Sequence, residues 1–557
     1  MLANQELAQQ ILGSLELALE AAPELSKAIE SQDAEVIKAI SESYTEMFTS
    51  LFDLGKEIST DNKIINLDKF CDSLLDSLNR LLGFMEKNPE RALHKLEFEF
   101  FPMLQSTFQH FYFWSGVHPD PERIKNYYEH DKKLLCANTY IEEAEKSGKY
   151  KYELSIVVVG YNKLDYTKQC VESILKTVPK NINYELILLN HGSTDGTKEY
   201  FESINPAKQL DFKVNGTGGT TACRIIEGEY TIIFSNDIIA ANNAVENMLR
   251  CLKSDPKIGW CVPATPNISN CQVIPASYST PEEFEAFANV NNQYDPFRHE
   301  QRTRLCNPVS AYKTSTLFSA LRPGHFFTGG KASFPDDVAS MLIRRAGYKS
   351  ILSKDAYCHH HGSVTIKDEI STANEQEVYL QGRQEFNSAF GVDPWGVGFC
   401  YDPHILPHIE FFEADVDEQI NILGINSGLG SNPLKIKEMY KEEKHNLNAL
   451  VYNITNQQNY LDDLRGVSDY VRFEGDLNNI FILSDKKFPN RFHHIVIDMS
   501  FSPSPQYKRL IMNCIDHLKI GGTLCAVLAA DQKEYMCKAF PKASFNSGLQ
   551  NWLIIKK

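Results

Sequence analysis

The sequence predicts a multidomain α/β protein whose N-terminal portion is wholly helical, and three observations carry that expectation. Apolar residues recur at threes and fours from Leu7 to about Tyr140, without strand-like alternation. From Leu154 onward, short apolar runs alternate with helical stretches, the pattern of a mostly parallel sheet. After "INILGINSGLGS", Ile420 to Ser431, the order of strand, glycine-containing loop and helix begins again. A chain of 557 residues exceeds what one hydrophobic core holds, and the units read from these patterns are 1–145, 150–405 and 406–557.

Composition narrows the functional classes. With 43% hydrophobic and 11% aromatic residues and no low-complexity tract, the chain is of the folded class. A formal charge of -16 argues against binding nucleic acid or an anionic membrane. The N-terminal stretch has no Lys or Arg before Lys27 and is interrupted by Glu6, Glu16 and Glu20, which does not read as a secretory leader. No uncharged apolar run approaches the roughly 18 residues of a membrane span, so the expectation is a cytoplasmic protein without a transmembrane segment. Thirteen cysteines without a C-x-x-C pair read as reduced thiols, with no structural zinc.

Leu7, Ile11, Leu15 and Leu19 mark the first amphipathic helix. "FEFFPMLQSTFQHFYFW", Phe98 to Trp114, places Pro102 like a first-turn proline; its aromatics read as a buried helix face, and His110 as a packed histidine. A strand runs from Leu154 to Val159, a helix from about Tyr166 to Thr177, and a second strand from Tyr184 to Leu189. That strand ends in "NHGSTDGT" before the helix "KEYFESI"; "TIIFSNDII", Thr231 to Ile239, is the next strand. In such sheets ligands lie outside the carboxyl ends of the strands. Pro403 and Pro407, within Gly396 to Phe412, mark a connection into the last unit.

The chemistry-bearing segments all fall at strand ends or helix starts. Gly192 and Gly196 in "NHGSTDGT" permit a tight turn, and Ser193 and Thr194 suit loop amides or ribose hydroxyls; a turn capping the next helix accounts for the same residues. Asp237, taken alone, reads as a turn residue. Asp336 and Asp337 start a helix, where acids complement the dipole and where neighbouring carboxylates perturb each other's proton affinity. His359, His360 and His361 suit a metal or a phosphate, and equally an exposed histidine run.

Taken in order, "VVVGYN", "NHGSTDGT", "FSNDI" and "FPDDVASMLIRRAGYKSILSKDAYCHHHGS" resemble family 2 glycosyltransferases of the GT-A fold over roughly Leu154 to Gly391. The resemblance implies an inverting enzyme using a nucleotide-diphosphate sugar and a divalent cation, Mn2+ or Mg2+. It implies that Gly160, Tyr161, Asn162, Asn190 and Asp195 hold the nucleotide, with Asn236 and Arg224 near the phosphates. It further implies Asp237 as metal ligand, joined by His360 or next by His361, and Asp337 as catalytic base with Asp336 supporting it or the acceptor. Asn190 stands where a carboxylate commonly contacts base and ribose, and of D-x-D only Asp237 remains. The metal would then be held largely by the donor's diphosphate.

"INILGINSGLGSNPLKIKEMY", with the later "FEGDLNN", "HHIVIDMS" and "LKIGGTLCAVL", resembles class I S-adenosylmethionine methyltransferases and implies a Rossmann-like third domain. Gly424 replaces that family's acidic residue and Asn426 its first glycine, while Gly428 and Gly430 remain. Tyr452 and Asn453 stand where an acid would accept from the ribose hydroxyls, so a structural or acceptor-docking role ranks ahead of S-adenosylmethionine binding. Asp476 and Asp498 either restore that acceptor or cap turns. The expected function is transfer of a sugar to a hydroxyl of a large acceptor, a bacterial surface or flagellar protein or a saccharide chain, recruited by the flanking domains. The alternatives are a bifunctional glycosyltransferase and methyltransferase, or a non-catalytic binding protein on a degenerate transferase scaffold.

Overall fold

The computed structural model describes residues 5–61, 66–85, 87–117, 120, 122–123, 138–213, 218–321, 334–362, 364, 375–412, 418–481 and 488–557. The N-terminal region holds α1 (Gln5–Ser31), α2 (Ala34–Asp61), α3 (Leu67–Met85), α4 (Pro89–Lys95) and α5 (Phe101–Tyr112). Ile11, Leu15, Ala18, Ala22, Leu25 and Ile29 form the buried stripe of α1, the three-and-four spacing of an amphipathic helix.

Pro102 lies in the first turn of α5, as its place in the sequence predicts, but α5 continues an earlier helix. The helix starts at Pro89, where the Asn88 side chain accepts from the Arg91 amide, and one wide π-type turn over Leu96–Phe100 joins α4 to α5. A proline inside a helix lacks a donor and crowds the preceding turn; the π-type turn lies where that crowding falls. Phe100, Phe108, Phe111 and Phe113 are buried, and His110 packs 4.8 Å from the Phe70 ring.

After α6 (Thr139–Ser147) comes the middle sheet. Its elements are β1 (Tyr152–Gly160), α7 (Leu164–Thr177), β2 (Tyr184–His191), α8 (Thr197–Ile204), β3 (Lys208–Phe212), α9 (Gly218–Cys223), β4 (Gly228–Ser235) and β5 (Ile238–Ile239). There follow α10 (Ala244–Ser254), β6 (Ile258–Ala264), α11 (Pro281–Asn291), β7 (His299–Arg302), β8 (Val309–Lys313), α12 (Pro335–Arg345), β9 (Lys349–Tyr357), β10 (His359–His360) and α13 (Glu375–Phe390). Eight strands lie in the order β3-β2-β1-β4-β8-β6-β9-β7, with β8 and β7 antiparallel to their neighbours. "TIIFSNDII" is thus two strands: β4 stops at Ser235, and β5 pairs with β10 in a separate ribbon.

Successive strand residues face opposite sides, and each side has its own cover. Val157, Ile187, Leu189, Leu210 and Phe212 share one core with Phe48, Phe100, Met103 and Phe111 of the helical region. Ile156, Val158, Leu188 and Ile232 pack with Cys170 and Ile174 of α7 and Met248 of α10 on the other side. The helical region is therefore one layer of the sheet's own sandwich. Asn138 fixes the join, its Nδ2 donating to the carbonyls of Cys223 at 3.0 Å and Ile226 at 2.9 Å.

The third region holds β11 (Ile420–Ile425), α14 (Ser431–Lys444), β12 (Ala449–Thr455), α15 (Leu461–Arg465), β13 (Tyr470–Phe473), β14 (Phe492–Ile497), α16 (Ser504–Asp516), β15 (Leu518–Leu528), β16 (Ser544–Ser547) and β17 (Asn551–Lys556). Its seven strands run in the order β13-β12-β11-β14-β15-β17-β16; β17 is antiparallel to its neighbours. Ile405 and Ile409 of the preceding connection are buried with Ile420, Ile422 and Tyr440, so the connection packs with this second sheet. Among the described residues every cysteine is free, and no helix is long and apolar enough to cross a membrane.

Candidate active site

Strand register gathers the chemistry at one edge. Gly160 lies opposite Asn190, Val159 opposite Ser235, and Phe234 opposite Val309. The carboxyl ends of β1, β2 and β4 and the start of β8 are therefore level, and the polar segments that follow them share this rim. β9 ends at the same rim, because β5 and β10 pair His359 with Ile239 and His360 with Ile238.

That ribbon brings Asp237 against His360. The two side chains are buried, with His360 Nε2 at 3.3 Å from Asp237 Oδ2. Burial alone would raise the Asp237 carboxyl. The His360 ring and the backbone amides at Val364 and Asp237 outweigh it and hold the carboxyl below its usual range, so a carboxylate is available to a cation. The His361 amide donates to the Asp237 carbonyl at 3.1 Å, while its ring stands edge-on to Tyr166 at 4.7 Å. His359 bonds Tyr278 Oη through Nδ1 at 2.7 Å, and burial, with His361 and His360 nearby, pushes it down to about 4. A cavity of about 370 Å³ lies between Tyr278, Phe284, His359 and His361. Among the described residues no group of three His, Cys, Asp or Glu side chains forms a cation cage, so Asp237 and His360 fit a cation as a two-ligand site with open positions.

Asp336 and Asp337 occupy the first turn of α12 and differ sharply. Asp337 is buried and paired with Arg304, whose Nε lies 2.5 Å from Oδ1 and Nη2 3.3 Å from Oδ2. Burial still leaves Asp337 above the usual carboxylate range, while Arg304 opposes that rise. Asp336 keeps part of its surface open, yet its carboxyl sits deep in the fold. Burial pushes it up to about 7; Arg304 and a backbone bond at Asn307 oppose the shift and the Asp337 charge adds to it. Cys306 and Tyr312 also face it. Asn307 adjoins Pro308, whose carbonyl accepts from the Ser235 amide at 2.9 Å, two residues before Asp237. The acid pair and the Asp237–His360 pair thus share the rim. Arg304 itself has no sequence signature, standing in a turn between β7 and β8 two residues after Arg302.

The residues expected around the nucleotide form a hydrogen-bonded loop cluster. Asn162, at φ 51°, donates its amide to Ser193 Oγ at 2.8 Å and accepts from the Thr194 amide at 2.9 Å. Asn190 Oδ1 accepts from the Ser193 amide, and its Nδ2 donates to Asp211. Asp195 accepts from the Leu164 amide and from Thr197, bonds that outweigh burial and lower its carboxyl. Gly160 packs so closely on Phe201 that a Cβ there would lie 3.0 Å from its ring, and Tyr161 follows directly. Asn236 Nδ2 donates to the Asn162 carbonyl at 2.9 Å and to Thr167 Oγ1 at 2.8 Å, so its amide nitrogen ties the end of β4 to the loop after β1 and to α7. Arg224 lies elsewhere: its guanidinium donates to Gln109 of α5, at the join with the helical layer.

Restoring the missing carboxylate by N236D replaces a donor with an acceptor facing the Asn162 carbonyl, and is expected to cost about 1–3 kcal/mol. Urea denaturation measures the loss, and tighter manganese binding by the variant would contradict the assignment.

The glycine loop of the third region is filled by the chain itself. Leu429 and Ser431 amides, at the start of α14, donate to the carbonyls of Val397 at 3.0 Å and Gly398 at 3.2 Å. A Cβ on Gly428 would overlap the Val397 carbonyl, and one on Gly398 the Ser427 carbonyl. Such amides are the donors a nucleotide cofactor would use. A side chain at Gly424 would run into Asn453 Oδ1, and Asp498 accepts from Asn432. Asp476 caps a short turn by accepting from the Asn478 amide. The residues present do not fit S-adenosylmethionine.

Residues 155–318 match the family model described as glycosyl transferase family 2. Glycosyltransferase GlyG of Streptococcus pneumoniae serotype 4 is 32% identical over 102 residues, 17% of this chain and 33% of that protein. An uncharacterized glycosyltransferase of Rickettsia typhi is 30% identical over 122 residues, 21% of this chain and 38% of that protein. The solved structure of GalNAc-T7 with UDP, GalNAc and Mn2+ has 15% identity and a TM-score of 0.30, covering 38% of this chain and 44% of that one. The chain spans roughly a third of the length of these two curated relatives. The middle region thus matches family 2 glycosyltransferases over residues 155–318, which lie in and around the eight-stranded α/β sheet.

Proposed function

We propose that the protein transfers a sugar, with inversion, from a nucleotide-diphosphate donor to a hydroxyl of a large acceptor, using a divalent cation. The observation that carries the reading is the buried Asp237–His360 pair on the same rim as Asp336 and Asp337. One carboxylate and one imidazole suit Mn2+ or Mg2+ with positions left for diphosphate oxygens. A bound cation would offset the negative charge that develops on the departing diphosphate. The resemblance implies Asp337 as base, but the Arg304 pair favours the reverse assignment: Asp336, whose proton affinity lies near neutrality, accepts the acceptor hydroxyl's proton, and Asp337 stays beside it as a paired charge. The loop cluster of Asn162, Asn190 and Asp195 presents Gly160 and Tyr161 to the nucleotide.

The acceptor is a protein or a saccharide chain, such as a bacterial surface or flagellar component. The breadth of structure around one rim supports that reading, since a small acceptor requires no such surroundings. The test is a thermal-shift panel of UDP, GDP and dTDP sugars with and without manganese. One donor is expected to stabilise the full chain in a metal-dependent way. NMR of the product is expected to show the inverted anomer. If no donor is stabilising and none is hydrolysed, the transferase reading fails.

A further inference from the structure

We propose that the C-terminal domain is a clamp that positions Arg304 beside the acid pair, its glycine loop occupied by Val397 and Gly398 in place of a nucleotide cofactor. The inference rests on the transfer site described above. It begins at Asp463 of α15, which is fully buried and faces two guanidinium groups of α12. Arg344 Nη2 lies 3.1 Å from Asp463 Oδ1, and Arg345 Nη2 lies 2.9 Å from Oδ2. These arginines end the same helix whose first turn carries Asp336 and Asp337.

From Arg344 the connection runs back to the acids. Arg344 Nη1 donates to the Thr303 carbonyl, and Thr303 Oγ1 bonds Ser431 Oγ and the Phe399 carbonyl. Thr303 is therefore held by α12, by the first residue of α14 and by the connection that fills the glycine loop. The next residue is Arg304, which pairs with Asp337 and restrains the rise of Asp336. Leu429 of the glycine loop is itself buried with Val338 and Met341 of α12 and Phe334 just before it. Gly466, after α15, admits no side chain because Arg344 lies against it. On the strand beside this turn, the Gln301 amide donates to Glu438 at 3.0 Å and Lys435 pairs with Glu300 at 2.9 Å.

A loop whose amides and glycines are taken up in this way cannot open for a cofactor without releasing Thr303. Asp463 and Ser431 are positioning residues, since neither touches the rim. Losing either should let Arg304 drift from the acids, and Asp336 would then bind its proton more tightly. Among the described residues, the charged and titratable groups facing Asp336 are Arg304, Asp337, Cys306 and Tyr312. The clamp reaches Arg304 through Thr303, and it reaches Asp336 and Asp337 through α12, which carries them.

The test uses the full chain with Asp463→Asn and, because that variant leaves buried arginines under-compensated, the milder Ser431→Ala. Each is expected to lower kcat by about tenfold, because a displacement of order 1 Å can cost that much or more, and to leave the donor KM within about twofold. The acid limb of the pH profile should move to higher pH. Variants that melt lower but keep kcat and the acid limb of the unaltered chain would overturn the clamp. So would thermal stabilisation of the unaltered chain by millimolar S-adenosylmethionine. If the unaltered chain turns over no donor, the transferase reading fails separately. The clamp is then decided by carboxyl NMR of Asp336, whose titration should rise in both variants and whose constancy would overturn it.

Discussion

Asp237→Ala is expected to remove metal-stimulated turnover of the nucleotide sugar, with kcat/KM falling by about 10²–10³-fold, the scale of losing one charged group that stabilises developing charge. The expectation rests on position. Asp237 sits in the turn between β4 and β5, and the β5–β10 ribbon sets His360 against it. Asp237→Asn keeps a hydrogen-bond acceptor for His360 but not the charge, so it should lose nearly as much activity while melting close to the unaltered protein. Asp237→Ala also leaves the buried imidazole without this acceptor, at a cost of about 1–3 kcal/mol. Denaturant curves separate that loss from the chemical one. Among the described residues only two candidate ligands meet here, so manganese alone should bind weakly and the donor should raise its affinity. Tight binding of manganese to the donor-free chain by titration calorimetry would count against a site completed by diphosphate.

The Asp237–His360 meeting is legible in the sequence through the family resemblance, and strand order supplies its physical reason. Segments after successive parallel strands emerge at one edge, so an aspartate after β4 and a histidine after β9 arrive together. Other features depend on what the chain meets in space. Asn236 reads as a neighbour of the phosphates, and the bonds of its amide nitrogen to Asn162 and Thr167 show only in space. Arg224 reads as a phosphate contact until Gln109 receives it. A buried stripe such as Ile11, Leu15 and Ala18 is the same whether helices cover one another or a sheet, so the shared core with Val157 and Ile187 leaves no periodic trace. The retained Gly428 and Gly430 resemble a cofactor loop, yet Gly428 also meets a need that Val397 imposes, close approach of two backbones. Arg304 acquires its role from a turn held by three distant elements, which no local pattern encodes.

Asp336→Asn is expected to lower kcat by about 10²–10⁴-fold, the usual worth of a positioned general base, with little change in the donor KM. The unaltered chain should gain activity as pH rises through about 7, where Asp336 loses its proton. Asp337→Asn acts in the opposite sense on that limb. Burial aside, the Asp337 charge raises Asp336 and Arg304 lowers it; removing the charge leaves Arg304 undivided, so the acid limb should move to lower pH. Stability carries an independent sign. The folded protein holds the Asp336 proton more tightly than the unfolded chain, so this group's contribution to stability falls as pH rises from about 4 to about 7. Asp336→Asn lacks that decline and should gain stability relative to the unaltered chain across the same window, read by urea midpoints at several pH values. A base is thus held at some expense to stability near neutral pH, as a functional carboxyl in a buried place requires. If Asp336→Asn keeps kcat while Asp337→Asn abolishes it, the proton passes to Asp337 instead, and Arg304 would have to release it during turnover.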